Sequence, residues 1–127
     1  MLKYAHNPKP EKSVKVYGRN LRISVKHSKV VCKAITGTTM SKARKLLENL
    51  IEERVSLGGK YYTKTVNEAL NLLKLAGSNA EFKGMDPERM VVHASAHQGF
   101  TYRTPRRFKL ARRQAKITNL QIVMEEK

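Results

Sequence analysis

The chain has 127 residues, a length typical of one domain, with 26 lysines and arginines, 10 acidic residues and a net charge of +16. This charge opposes compaction through self-repulsion and indicates a polyanionic partner, with nucleic acid as the first candidate and an anionic membrane surface as the second. A single cysteine excludes an intramolecular disulfide framework, and no apolar run approaches the roughly 20 residues of a transmembrane helix. The polar first ten residues lack the apolar segment of a secretory signal, so we expect a cytoplasmic protein with no membrane partner.

Positive charge is concentrated towards the two ends of the chain. The net charge is +11 over residues 1–47, −1 over residues 48–89 and +6 over residues 90–127. This distribution predicts a charge-balanced scaffold with binding surfaces at its extremes.

The N-terminal part predicts a tail followed by an irregular strand. Residues 1–11 are expected to form an extended basic tail, because Pro8 and Pro10 exclude an α-helix. Residues 12–23 predict a strand whose apolar positions change parity near Gly18, which is typical of a bulge or turn.

Three amphipathic helices are predicted next. The first covers about residues 25–36, with lysines on one face and apolar residues on the other: Lys26, Lys29 and Lys33 against Val30, Val31, Ala34 and Ile35. The second covers about residues 40–54 and carries Arg44 and Glu48 at the i,i+4 spacing of an ion pair. The third covers about residues 63–82, and small residues on its apolar face predict close approach of another element: Ala76, Gly77 and Ala80.

The last part of the chain predicts a β-hairpin, residues 90–124, with a basic tip at about 98–116. The segments 90–97 and 117–124 have strand character, and no acidic residue lies between residues 90 and 124. A limb from residue 90 to residue 105 is about 50 Å long, whereas a chain of this size has a radius of gyration near ~14 Å. We therefore expect the hairpin to protrude and to be surrounded by an anionic partner.

The order of these elements predicts the fold class. One strand, three helices and two strands indicate a single α+β domain over residues 1–127, in which three helices pack on a small antiparallel sheet with a long protruding β-hairpin. Residues 12–89 and 117–127 are expected to form its globular body.

No set of residues in the sequence predicts catalysis or metal binding. His93 and His97 share one face of a strand, but further ligands are needed and we expect no cysteine or acidic residue nearby, so we expect no metal site. Cys32 lies within a helix and lacks a base partner, and residues 58–60 form a predicted turn without phosphate-loop spacing. We expect a protein that is not an enzyme and needs no cofactor.

The basic residues predict an RNA-binding surface. Between residues 103 and 116 arginine outnumbers lysine five to two, and its planar guanidinium suits bidentate contact with phosphate. Phe100, Tyr102 and Phe108 are interleaved with these cations and can stack on unpaired bases. The predicted RNA-binding residues lie on the first strand, the first helix and the hairpin: Lys12, Lys15, Arg19, Arg22, Lys26, His27, Lys29, Lys33, Tyr102, Arg103, Arg106, Arg107, Phe108, Lys109, Arg112, Arg113 and Lys116.

Two other classes of protein were weighed against an RNA-binding component. A regulator that binds duplex DNA places its base-reading cations on the N-terminal part of one helix, whereas the densest charge here is on a hairpin. An enzyme acting on RNA needs an acid/base or metal constellation, and the sequence offers none.

Several segments in a fixed order carry a resemblance to a known family. Leu21-Arg22-Ile23-Ser24 and Lys26 stand at the first strand-to-helix junction, Ala34-Ile35-Thr36-Gly37 ends that helix, and residues 118–125 form the returning strand. The most specific segment closes the third helix: Ser78-Asn79-Ala80-Glu81-Phe82-Lys83-Gly84-Met85-Asp86. Over residues 4–126 the chain resembles the large-subunit ribosomal protein L-twenty-two family in its archaeal and eukaryotic form. In the hairpin Pro105-Arg106 fits the family pattern, whereas Arg107, Lys109 and Leu110 replace its usual Ala, Gly and Arg.

The resemblance implies a structural component of the large ribosomal subunit. Its expected partners are large-subunit ribosomal RNA and neighbouring ribosomal proteins, and it is expected to support subunit assembly. The body is expected near the exit of the nascent-peptide tunnel, with the hairpin tip lining the tunnel wall: Thr101, Tyr102, Arg103, Thr104, Pro105, Arg106, Arg107, Phe108 and Lys109. The resemblance leaves open whether this tip also contacts the nascent peptide.

Overall fold

A computed structural model describes residues 2–127 of the chain. Its regular elements are, in chain order, β1 (Ser13–Leu21), α1 (Val25–Ile35), α2 (Met40–Ile51), α3 (Thr63–Phe82), β2 (Val91–Gln98) and β3 (Thr118–Glu125). The α+β class is therefore confirmed: three helices accompany a small three-stranded antiparallel sheet. Within residues 2–127 no helix combines the length and apolar character that crossing a bilayer requires.

β3 is the central strand of the sheet, in the order β1-β3-β2. It pairs with β2 along the whole length of both strands, from Val91 opposite Glu125 to Gln98 opposite Thr118. Its register with β1 shifts just after Gly18, which confirms the irregularity that the change of apolar parity predicted. A Cβ atom on Gly18 would lie 2.7 Å from a methyl group of Leu72 in α3, so this glycine allows close contact between helix and sheet.

The three helices cover one face of the sheet. α1 packs on β2, while α3 packs on β1 and on α2. A Cβ atom on Gly77 would lie 2.6 Å from Cε of Met40, so the small residues of α3 do mark a close approach, by α2. The largest fully buried side chains come from every helix and every strand: Ile35, Leu47, Leu50, Leu73, Met90, Leu120, Ile122, Met124, Val14, Val31, Val66 and Val92.

Two details of the predicted helices were wrong. Val30 is 38% exposed, because α1 buries a narrow stripe centred on Val31 and Cys32 instead of the predicted broader face. α2 ends at Ile51, not at Arg54, because Glu53 adopts a left-handed backbone conformation with φ of 58° that cannot continue the helix.

The N-terminal tail lies against the sheet face opposite the helices. The side chain of buried Gln121 accepts a hydrogen bond from the N–H of Ala5 at 3.1 Å and donates one to the carbonyl oxygen of Lys3 at 2.7 Å. Tyr4 packs edge-on against Tyr17, with ring centroids 6.3 Å apart. Within the predicted extended tail, Pro10–Lys12 form a single 3-10 turn, which proline at its first position permits.

Candidate nucleic-acid interface

The connection between β2 and β3 continues their antiparallel course beyond the regular strands. The N–H of Ala115 donates to the carbonyl oxygen of Tyr102 at 3.0 Å, and the N–H of Thr104 donates to that of Arg113 at 3.1 Å. Residues 105–112 then reverse the chain, with left-handed backbone conformations at Lys109 and Arg112. The connection between Gln98 and Thr118, which we call the arm, is therefore a paired segment that ends in an irregular tip, residues 105–112.

The tip surrounds a cleft of about 740 Å³ that is rich in arginine. The residues that line it include no acidic side chain: Arg103, Thr104, Arg106, Arg107, Phe108, Ala111 and Arg112. Phe108 is 92% exposed, so its ring is free to stack. Four guanidinium groups around one opening provide several donors for phosphate oxygens, beside an aromatic ring for a base.

A second cationic cleft, of about 350 Å³, lies where the base of the arm meets the start of α1 and of α3. Its charged or titratable residues are contributed by four separate segments: Arg22, His27, Lys64 and Lys116. The His27 ring packs against Tyr62, with centroids 4.8 Å apart. We call this opening the base cleft and the arginine-rich one the tip cleft.

Two contacts from the end of β1 and the residues just after it reach the arm and β3 beside the base cleft. The Arg22 guanidinium donates a hydrogen bond to the Tyr102 hydroxyl group and lies 5.7 Å from the centroid of that ring. The N–H of Asn20 donates to Oδ1 of Asn119 at 2.8 Å. These contacts join segments that are 80 and 99 residues apart in sequence, and the one with Tyr102 holds the start of the arm against the body.

The remaining predicted cations lie on the body. Lys12 ends the 3-10 turn, Lys15 and Arg19 are on β1, and the exposed face of α1 carries the predicted stripe: Lys26, Lys29 and Lys33. Lys15 is half-buried and contacts the Asn7 side chain, and its ammonium nitrogen lies 5.4 Å from the Tyr4 ring centroid. The other five are exposed to solvent.

Ion pairing of arginine, but not of lysine, separates the candidate interface from the rest of the surface. The arginines that pair with carboxylates are Arg44, which pairs with Glu48 at 3.0 Å as predicted, together with Arg54 and Arg89. Within residues 2–127, no predicted RNA-binding lysine or arginine makes such a pair. The positive charge of both clefts is therefore uncompensated inside the protein.

Cys32 is a core residue of α1. Burial raises the pKa of its thiol from the ordinary value of 9.0 to about 12, so the nucleophilic thiolate is not populated near neutral pH. The interpretation of Cys32 as a packing residue agrees with this burial.

The sequence argument about His93 was wrong in one respect, because an acidic residue does lie near it. Glu125 on β3 has Oε2 3.8 Å from Nε2 of His93, and the tail brings Nε2 of His6 to 3.0 Å from the same oxygen. The hydrogen bond with His6 lowers the pKa of Glu125, and burial together with the charge of His6 lowers the pKa of His93. His97 lies apart from this group and contacts Asn119 and Tyr17.

Residues 16–123 match the sequence model of a family described as Ribosomal protein L22p/L17e. The chain belongs to this family. It is 32% identical over 148 aligned positions to the large ribosomal subunit protein uL22 of Methanocaldococcus jannaschii. The alignment covers 98% of the chain and 95% of the relative. The uL22 proteins of Methanococcoides burtonii and Archaeoglobus fulgidus are 37% and 34% identical, with 77% of each chain covered.

Membership of the L22p/L17e family confirms the resemblance and its archaeal type. It also confirms the predicted class: a structural, non-enzymatic ribosomal protein. The matched range, residues 16–123, includes the base cleft and the whole arm.

Sequence reasoning selected three of the residues that line the base cleft and missed the others, which include the cation Lys64 and the polar Gln114. Lys64 was absent from the prediction because its neighbours in sequence are not unusually basic. The only available signal was its position at the start of the third helix. The apolar periodicity of a helix does not predict which of its ends lies next to the arm. The structure unites Arg22, His27 and Lys116 in this cleft and most of the arginines in the tip cleft.

Proposed function

We propose that this protein is a structural constituent of the large ribosomal subunit in the cytoplasm and that it binds large-subunit ribosomal RNA through its two cationic clefts. The observation that carries the proposal concerns arginine: within residues 2–127, no predicted interface arginine has a carboxylate partner. The arginines that do have partners, such as Arg44, lie outside both clefts.

The base cleft supplies the preorganised part of the interface. The side chain of Arg22 is hydrogen-bonded to Tyr102. Lys64 is in the first turn of α3, and Lys116 lies two residues before β3. Because these groups need little ordering, they contact the RNA backbone at a small entropic cost. Lys26, the first of the exposed lysines of α1, lines a neighbouring opening together with Lys116.

The tip cleft supplies contacts of a different kind. Its arginines make bidentate contacts with phosphates, and Phe108 stacks on an unpaired base. The main-chain hydrogen bonds of residues 105–112 are local turn bonds that do not reach the body, so contact with RNA on several sides completes the ordering of the tip. We infer that residues 98–116 form an arm that reaches into the RNA, and that residues 101–109 line the nascent-peptide tunnel.

The proposed assembly has further partners. Neighbouring large-subunit proteins are expected at the edges of the body, and binding to RNA is expected to support subunit assembly. A contact between the tip and the nascent peptide is part of the same proposal, since Phe108 and the tip arginines are exposed.

The salt dependence of RNA affinity tests this function. Each lysine or arginine that neutralises a phosphate contributes roughly 0.7 to 0.9 to the steepness of log K against log salt concentration. Replacing Arg106, Arg112 and Arg113 by alanine should flatten this slope by about one unit per lost contact, measured on a fragment of large-subunit RNA.

The matched control replaces three arginines that are paired with carboxylates: Arg44, Arg54 and Arg89. This control removes the same formal charge but should leave the slope unchanged. Equal slopes for the two triple variants would contradict the proposed interface. In cell extracts, the wild-type protein should co-sediment with the large subunit in high salt, and its absence from that fraction would contradict subunit membership.

A further inference from the structure

The sheet face that carries the N-terminal tail brings together three metal-ligating side chains. His6 is in the tail, His93 is on β2 and Glu125 ends β3. Nε2 of His6 lies 3.0 Å and Nε2 of His93 lies 3.8 Å from Oε2 of Glu125, and the three ligand atoms are all within 4.8 Å of one another. Each side chain is partly buried, with exposed fractions of 42%, 25% and 31% respectively.

We propose that His6, His93 and Glu125 form a binding site for a divalent transition-metal ion, with zinc as the best-suited ion. Imidazole nitrogen and carboxylate oxygen are both common zinc ligands, and two histidines with one carboxylate leave a fourth tetrahedral position for water. Magnesium and calcium prefer sites made of oxygen ligands only, so they are poor competitors here.

The distances fit this coordination after a small movement of the side chains. Zinc bonds of about 2.0–2.1 Å in a tetrahedron place ligand atoms about 3.3 Å apart. The observed separations of 3.0 and 3.8 Å from the Glu125 oxygen lie on either side of that value. The His6 and His93 rings pack against each other, with centroids 4.0 Å apart and an interplanar angle of 32°, and binding of one ion requires both rings to rotate so that their nitrogens converge.

The backbone positions of the ligands are well defined. Val91 and His93 lie on β2, where Val91 is paired with Glu125, so His93 and Glu125 are close neighbours on one face of the sheet. His6 is placed by the tail, whose preceding residue, Ala5, is hydrogen-bonded to Gln121. A bound ion therefore connects the tail to both strands, and two of its ligands, His6 and Glu125, are 119 positions apart in sequence. This connection stabilises the tail on the sheet, because the metal binds only the folded arrangement.

Zinc titration of the untagged full-length protein tests the proposal. Calorimetry with zinc should give one site per chain, and amide exchange of residues 3–7 should slow when zinc is added. His6→Gln and Glu125→Gln should each lower the zinc affinity by at least about tenfold, since even loss of an outer-shell partner costs that much. Magnesium in place of zinc should have no effect.

His97→Gln is the matched control, because His97 lies on the same strand and the same sheet face as His93 but outside the cluster of three ligands. It should keep the wild-type affinity and stoichiometry. Circular dichroism without metal verifies that each variant is folded, and His6→Gln changes only a tail residue. The proposal is overturned if the wild-type protein does not bind zinc in excess, if His6→Gln binds as tightly as the wild type, or if His97→Gln loses as much affinity as His6→Gln.

Discussion

The hydroxyl group of Thr118 donates a hydrogen bond to the carbonyl oxygen of Ile23 at 2.8 Å, and both residues are buried. Thr118 is the first residue of β3, where the arm returns to the sheet, and Ile23 lies between β1 and α1. This bond joins the two segments that carry Lys116 and Arg22, both of which line the base cleft. A single buried contact therefore helps to hold together two segments that line the candidate binding site.

Replacing Thr118 by valine should lower the free energy of unfolding by about 1–3 kcal/mol. Valine has nearly the same shape, but the buried carbonyl oxygen of Ile23 loses its donor, and an unsatisfied buried group costs this much. Chemical denaturation of the two proteins measures the difference. Thr101→Val is the control, because Thr101 is exposed on the arm and its replacement should have little effect. Equal stabilities of the Thr118 and Thr101 variants would contradict a structural role for this bond.

The core of α3 should be far more sensitive to truncation than its outer face. Leu73 is fully buried whereas Leu75 is 49% exposed on the same helix. Leu73→Ala should destabilise the protein by about 2–5 kcal/mol, because it removes buried apolar atoms and leaves a cavity. Leu75→Ala should cost less than about 1 kcal/mol, since surface substitutions rarely cost more. A smaller loss for Leu73→Ala than for Leu75→Ala in thermal unfolding would show that the packing is different.

Local signals were sufficient to predict the regular elements. The bounds of α3 follow from an uninterrupted apolar face, and the shift in the sheet follows from the change of parity at Gly18. The end of α2 was harder to predict, because it depends on the left-handed backbone of Glu53, a residue with no strong turn preference. Short-range periodicity therefore describes elements better than it describes their ends.

Contacts between distant segments could not be predicted in this way. Lys64 enters the base cleft because α3 begins beside the arm, and His6 reaches Glu125 because the tail crosses the sheet. Both contacts depend on tertiary packing, which cannot be predicted from the spacing of residues along the chain. The resemblance to a family indicated ribosomal RNA as the partner, but it did not predict that Lys64 or His6 makes these contacts.

Cys32 should make the protein less stable in alkali. Its pKa is about 12 in the folded protein against an ordinary value of 9.0, so between these values the unfolded thiol loses its proton and the folded one keeps it. The unfolded state then binds fewer protons, and the free energy of unfolding falls as pH rises through this range, by at most about 1.4 kcal/mol per pH unit. Cys32→Ala should remove this contribution. Urea unfolding of both proteins at several pH values above 9.0 measures the difference between their slopes.

The body and the tip should contribute differently to subunit incorporation. Residues 105–112 lie between Thr104 and Arg113, which are joined by a main-chain hydrogen bond, so an Asn-Gly turn can replace them and leave the base of the arm intact. This shortened protein should still enter large subunits, because the base cleft and the α1 lysines remain. Replacing Arg22, Lys26 and Lys29 by glutamate should block incorporation, since it places repulsive charge on the rigid part of the interface.

The control for charge reversal replaces three exposed lysines outside the predicted interface by glutamate: Lys42, Lys45 and Lys74. It changes the net charge by the same amount as the interface variant, so a general effect of charge on solubility or assembly would appear in both. The measurement is the fraction of each tagged protein that sediments with large subunits. Exclusion of the shortened protein together with normal assembly of the Arg22, Lys26 and Lys29 variant would show that the tip, and not the body, docks the protein on RNA.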